Sequence, residues 1–205
     1  MPRLVSLSAP ALAALSLAVT APAFAQAPAD AGFCGQARWT ARLTVNDPVA
    51  ADRSGTEYAL GSVLAPSLAL GCSMGGPWAL EASVGLPLSQ DVRLAGGTIG
   101  SVRVMPLALM LQARTRVGTL TPYAGAGLGL SLFSGGDLPG SLSVNRLGAG
   151  VALGLGADWQ LDRRWRLNLD LRHVTAKPNL SAQGGQVGSL QAGATRWSLG
   201  AGRDF

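Results

Sequence analysis

Few groups in this chain are equipped for chemistry. Its 205 residues include one histidine, two cysteines, and 11 acidic side chains against 16 Lys and Arg. A single histidine makes no His-pair metal site, and no cofactor is implied. His173-x-Thr175 sets a base two residues from a hydroxyl. Nucleophilic catalysis also needs a group to orient the base, and no Glu follows Glu81 anywhere in the chain. The expectation is that the protein is not an enzyme. What remains is charge. Arg38, Arg42, Glu81, Arg114, Arg146, Asp158, Asp170 and Arg172 all fall opposite apolar residues in alternating segments. They read as one polar cluster, either a constriction along a solute path or a packed plug of ion pairs.

The N-terminus sets the compartment in which those charges work. Arg3 precedes an apolar stretch from Leu4 to Val19, and Ala23-x-Ala25 is a small-residue cleavage site. Met1–Ala25 therefore reads as a secretory signal peptide, with an uncleaved anchor as the alternative. Gln26–Phe205 is then one domain. Removing Arg3 leaves 15 cations against 11 acids, a net +4, and Lys177 is the only lysine. The arginines are dispersed, without an aromatic-interleaved patch, so the basic balance does not point to nucleic acid. Two cysteines in an oxidising compartment point to a Cys34–Cys72 disulfide. Face parity disagrees, because Cys72 falls with outward leucines and Cys34 with the arginine set.

Mean hydropathy is positive and only 13% of residues are charged. Yet no apolar run after the leader reaches the ~18 residues of a spanning helix. Eight segments alternate with period two instead, which is a strand pattern. They are Gln36–Asn46, about Glu57–Ser73, Trp78–Leu86, Val102–Arg114, Pro122–Phe133, Leu147–Trp159, Trp165–Arg172 and about Ser189–Phe205. In the sixth, Leu147, Ala149, Val151, Leu153, Leu155, Ala157 and Trp159 alternate with Gly148, Gly150, Ala152, Gly154, Gly156 and Asp158. An exported, apolar chain without a spanning helix satisfies its backbone in lipid by closing a barrel. A secreted β-sandwich would not need leucines on one face of every strand.

The expected fold is therefore all-β, an eight-stranded antiparallel up-and-down transmembrane barrel in the outer membrane of a Gram-negative bacterium. Connections near Met74–Pro77, Thr115–Thr121 and Gln160–Arg164 are short. Those near Asp47–Thr56, Pro87–Gly100, Ser134–Val144 and Thr175–Gly188 are longer. Short turns belong to the periplasm and long loops to the outside. Trp78, Trp159 and Trp165 beside the short turns would form an aromatic girdle. An eight-stranded interior is only wide enough for side chains to fill, which favours the plug. Pro66, Pro87 and Pro106 each remove a ladder donor. Each marks a candidate opening in the wall, or a strand end or bulge. Gly125, Gly127, Gly129, Gly148, Gly150, Ala152, Gly154 and Gly156 predict room on one side of the lumen.

The last segment alternates Trp197, Leu199, Ala201, Arg203 and Phe205 and stops on an aromatic residue. Bacterial outer-membrane barrels usually end in this way, and Trp197 and Phe205 would form part of the assembly signal. Trp78-Ala-Leu-Glu81 running to Leu86-Pro87 is similar to the third strand of the OmpW/AlkL family of small outer-membrane barrels. Pro122-Tyr123-Ala-Gly125-Ala-Gly127 with Phe133 is similar to its fifth. Gly156-Ala-Asp158-x-x-Leu161-x-x-x-Trp165-x-Leu167-Asn168-x-Asp170 resembles its sixth hairpin. The ending Gly202-Arg203-Asp204-Phe205 departs from the family's Gly-Tyr-Arg-Phe.

The resemblance implies a porin-like protein that passes small hydrophobic solutes, which enter from outside and leave sideways through the wall. Its partners would be outer-membrane lipid, lipopolysaccharide, the barrel-assembly machinery and the solutes themselves. A structural or surface-contact barrel without transport is the alternative. His173-x-Thr175 faintly resembles lipid A deacylase barrels, which makes a lipid-modifying enzyme the remote one.

Overall fold

Alternation of side chains can close a sheet only if every strand finds two neighbours. The structure is a computed structural model that describes residues 34–48, 58–94, 97–138, 142–176, 179–182, 185–191 and 193–205. The Met1–Ala25 leader and Lys177 lie outside the described residues. The strands are β1 (Gln36–Pro48), β2 (Tyr58–Leu60), β3 (Val63–Ser73), β4 (Trp78–Gly85), β5 (Leu88–Leu94), β6 (Gly97–Arg114) and β7 (Leu120–Asp137). They continue with β8 (Leu142–Val144), β9 (Leu147–Gln160), β10 (Trp165–Val174), β11 (Asn179–Ala182), β12 (Gly185–Gln191) and β13 (Ala194–Asp204). β4 pairs with both β3 and β6. The eight strands β1, β3, β4, β6, β7, β9, β10 and β13 thus close an antiparallel ring.

The first and last ring strands meet in unbroken register, from Arg38↔Asp204 to Pro48↔Ala194. That register sets Trp39, Ala41, Leu43 and Val45 beside Arg203, Ala201, Leu199 and Trp197 on the outer face. The result is an inside-out protein. Leu153 is 55% exposed and Leu199 64%, whereas Glu81 is 2% and Asn168 1%. Such an arrangement is stable only where lipid covers the outside.

The short connections are tight. Gly75 and Gly76 take φ of 91° and 57°, a region in which side chains with a Cβ are strained, and Met74 N–H bonds the Trp78 carbonyl at 2.9 Å. In the Leu161–Arg164 turn, Asp162 Oδ1 accepts from the N–H groups of Arg164 (2.7 Å) and Trp165 (2.8 Å). Those backbone donors hold the exposed Asp162 carboxyl below its ordinary pKa. Trp165 packs edge-on against Trp39 at 6.0 Å, and exposed Trp78 and Trp159 lie at the same end. Arg203 sits over the rings of Trp165 and Phe205 at 5.9 and 5.8 Å.

At the long-connection end the wall continues beyond the ring. β5 forms a hairpin with the upper part of β6, β2 pairs with β5, and β12 joins β2 in parallel. β11 bridges β12 and β8. The alternation pattern had placed most of this chain in loops. It had also run the second and eighth segments straight through. Instead β2 and β3 are separate, with Gly61 N–H bonding the Asp91 carbonyl at 2.7 Å, and β12 stops before β13 begins. Inside this end lies an apolar cluster of Leu60, Val92, Val102, Val104, Phe133 and Ala176.

Candidate functional site

The inward faces of the ring strands bring polar side chains together in the lumen, four of them (Arg166, Asn168, Asp170 and Arg172) from β10 alone. Arg42 of β1 grips Glu81 of β4 with both terminal nitrogens, at 2.8 and 2.9 Å, and its Nε donates to Asn168 Oδ1 at 2.7 Å. Arg172 of β10 reaches the same carboxylate at 2.9 Å and Asp170 at 3.2 Å. The Tyr123 hydroxyl donates to Asp170 Oδ2 at 2.9 Å. Asn168 Nδ2 donates to the Tyr123 oxygen at 3.0 Å and to Asp158 Oδ1 at 2.7 Å. Arg114 pairs with Asp158 at 2.8 Å and lies 4.6 Å from the centre of the Tyr123 ring. Arg166 bonds Asp204 and Thr40 Oγ1.

The network ties β1, β4, β6, β7, β9, β10 and β13 across the lumen. Four acids, Glu81, Asp158, Asp170 and Asp204, meet four arginines, Arg42, Arg114, Arg166 and Arg172. Two further lumenal arginines have no acidic partner among the described residues. Arg38 touches only Gln112 Oε1, at 3.4 Å, and Arg196 has a buried Nε with no partner. One lies on each side of the plug. Toward the short turns, Arg38, Arg114 and Arg166 border an open cavity of about 660 Å³. Toward the long loops, Arg42, Arg172, Arg196, Thr44, Ser67 and Pro106 border one of about 40 Å³.

Seven of the eight charges expected in the lumen cluster are inside the barrel. Arg146 is not. It is exposed between β8 and β9, where alternation no longer applies, and contributes only its carbonyl, to Phe133 N–H at 2.8 Å. Arg166, Asn168, Tyr123, Asp204 and Arg196 belong to the interior although the reading above did not select them. All have the inward parity of their strands, so the signal was available.

The expected room beside the glycines is also absent. A Cβ at Gly129 would meet the Val174 side chain, one at Gly154 the end of Met110 at 3.3 Å, and one at Gly156 the Tyr123 hydroxyl. Side chains from other strands fill that space, as close packing demands. At Gly150 a Cβ would run into the Thr175 carbonyl. A larger residue there would disturb the wall before it blocked any path.

Pro66, Pro87 and Pro106 border a single interruption. The β4–β6 ladder ends at Val84↔Leu107, and the β5–β6 ladder begins at Leu88↔Val104. Gly85, Leu86 and Pro87 thus face only Met105 and Pro106, unpaired. The β3–β4 ladder ends at the same level, at Ser67↔Gly85, and Leu86 N–H bonds the Pro66 carbonyl at 3.0 Å. A strand residue points its N–H and C=O to the same side, so the donor that Pro66 lacks faces Leu86 across the β3–β4 seam, on the opposite edge of the strand from the β6 interruption. The Pro106 ring lies against Gly85, and both border the 40 Å³ cavity.

Cys34 and Cys72 are joined by a disulfide, with Cα atoms 5.3 Å apart. Cys34 precedes β1, so strand parity does not fix its direction. His173 is exposed on the outer face and bonds Thr195 Oγ1 at 3.1 Å, and no acid joins them among the described residues.

The comparisons agree with this architecture. The backbone superposes on OprG of Pseudomonas aeruginosa with a TM-score of 0.71 at 19% identity, covering 84% of this chain and 96% of that one. Outer membrane protein W of E. coli gives 0.61 at 20% identity, covering 82% and 97%. At the sequence level, an uncharacterised outer-membrane protein of Sinorhizobium fredii, y4mB, is 31% identical over 119 residues, 55% of this chain. The match spans about half, 52%, of that relative's length. Residues 11–205 match the family described as outer membrane protein beta-barrel domain. A closed antiparallel ring, a lipid-ready outer face and that match together make this chain a member of the outer-membrane β-barrel family.

Proposed function

We propose that the protein lets small hydrophobic molecules cross the outer membrane passively. They enter at the long-loop end and leave sideways through the wall at Pro66, Pro87 and Pro106. The observation that carries this reading is the three-against-two interruption between β4–β5 and β6, which lies beside a cavity and above a sealed plug. Paired charges close the axial route, and the wall has its fewest backbone bonds where the cavity reaches it. The buried apolar cluster at the long-loop end offers a greasy solute contacts on the way in. Resemblance in fold to OprG and outer membrane protein W is consistent with it.

The test uses vesicles whose outer leaflet is lipopolysaccharide, the layer that slows apolar solutes. Entry of decanol is measured with and without the reconstituted barrel. The barrel should speed entry. Pro66→Val with Pro106→Val restores one donor on either side of the unpaired β4–β5 stretch and should lower the rate several-fold in a barrel that still assembles. Entry no faster than in protein-free vesicles would end the passage reading.

A second reading has its own observation. The plug and the filled glycine face leave little free interior, which suits a structural or surface-contact barrel. Under that reading the proline variants change nothing. In either case the partners are lipid and lipopolysaccharide around the wall. The assembly machinery would read the β13 strand through Trp197 and Phe205, and the Met1–Ala25 leader would be cleaved on export.

A further inference from the structure

We propose that Arg196 is the binding site for the carboxylate of an amphipathic monoacid, a medium-chain alkyl carboxylate, held in the upper lumen with its chain in the apolar cluster. This deepens the passage reading and rests on it only for the ligand's route.

The charge balance points to an anion. The plug satisfies its four acids with four arginines, which leaves the Arg196 guanidinium with no acid and no hydrogen bond among the described residues. Its neighbours across the ladders are Asn46 on β1 and Arg172 on β10, one neutral and one cationic. Asp170, the acid bordering the same cavity, is already engaged by Arg172 and Tyr123. Arg196 is partly buried and has no acid beside it, so an incoming anion supplies the charge it lacks. The guanidinium fork matches a carboxylate with two parallel bonds.

The surroundings point to the rest of the ligand. Arg196 borders two cavities. The first, about 40 Å³, also touches Ser67, Gly85 and Pro106 and so meets the gap in the wall. It is little more than the ~30 Å³ share of one water, room for a carboxylate but not for a large headgroup. The second touches Leu60 and Val104, members of the apolar cluster that continues through Val92, Val102 and Phe133. This second cavity is only about 10 Å³, so the alkyl end would have to part the packed cluster, and a charged floor beneath such a cluster is complementary to a molecule with one anionic end and one alkyl end. A neutral alkane would leave the guanidinium unpaired.

The experiment measures binding of carboxyl-labelled decanoate and of decanol to the full barrel in phosphatidylcholine nanodiscs, with empty nanodiscs as baseline. The wild-type barrel should raise the decanoate-to-decanol ratio at least tenfold above baseline, and R196Q should return it to baseline. Asn46→Asp places a carboxylate across the ladder from Arg196 and should lower the ratio in the same way while leaving the arginine in place. This second variant keeps the test decisive if R196Q assembles poorly. A wild-type ratio equal to that of empty nanodiscs overturns the proposal, as does a ratio that survives N46D. Binding needs no transport, so the two readings fail separately. Decanol entry with no decanoate preference removes the site and keeps passage. Decanoate binding without entry removes passage and keeps the site.

Discussion

Glu81 is the residue on which the interior turns. It receives three bonds from two guanidinium groups, Arg42 and Arg172, in a site with almost no exposure. Removing one partner of a buried pair leaves an uncompensated charge, at a cost of about 3–5 kcal/mol. Here Arg42 is left without an acid, while Arg172 keeps Asp170. Glu81→Ala should therefore lower the urea midpoint of the reconstituted barrel strongly. Arg38→Gln removes a cation that has no acid to lose and should change it little. Equal effects would show that the plug does not hold the barrel together. On the opposite face, Leu153 is exposed to lipid, and an arginine near mid-bilayer costs about 2–4 kcal/mol. Gly154 faces Met110, whose flexible end can yield to a small side chain. Leu153→Arg should impair assembly and Gly154→Ser should not, as read from the yield of folded barrel. The face of each of these residues was legible in the sequence, because a strand's side chains alternate without exception while its ladder is regular. Which side chain crosses the lumen to fill a glycine's space was not. Val174, Met110 and Tyr123 come from other strands, and no local pattern records their reach.

Elements show the same division. The ring strands were legible because leucines repeat on one face for as long as lipid touches it. Above the lipid, β5, β8, β11 and the first half of β12 carry no such constraint, and their residues read as loop. Arg146 was misplaced for the same reason, since parity means nothing beyond a strand's end. The three prolines were legible one by one, but their convergence needed the register of β3, β4, β5 and β6. The disulfide binds the elements at the other end, where Gly35 N–H bonds the Ser73 carbonyl at 2.7 Å and continues the β1–β3 register toward Cys34. Closing the segment from Cys34 to Cys72 constrains the unfolded chain by about 3–4 kcal/mol in the chain-entropy model. Reduction, or Cys34→Ser with Cys72→Ser, should lower the unfolding midpoint without changing the β1–β13 seam. Thiol labelling of the unreduced, denatured protein should find no free thiol, and two per chain would rule the bond out.

At the largest scale the barrel is a closed wall around a charged core, and its electrical behaviour follows from that. Every ring strand has two neighbours, so the ring has no edge strand. The folded barrel should therefore run differently on a gel with and without boiling. Ion passage depends on the lumen instead. An eight-stranded interior has room for side chains and little else, and here Arg42, Glu81, Tyr123, Asp158, Asn168 and Arg172 occupy it as one bonded layer. The water-accessible cavity of about 660 Å³ stops at that layer, and the cavities described beyond it, of about 40 and 10 Å³, are small. An ion crossing axially would have to break several charge-assisted bonds at once, each worth about 1.5–3 kcal/mol. In planar bilayers the protein should show no steady ohmic steps of porin size. Asp158→Ala with Arg114→Ala removes one pair from the layer beside the large cavity and opens the side where a leak can begin. That variant should conduct measurably more than the parent. Porin-like conductance in the parent would mean that the plug does not persist in the membrane. The argument for a sideways exit would lose its premise, because solutes would then have an open axial path.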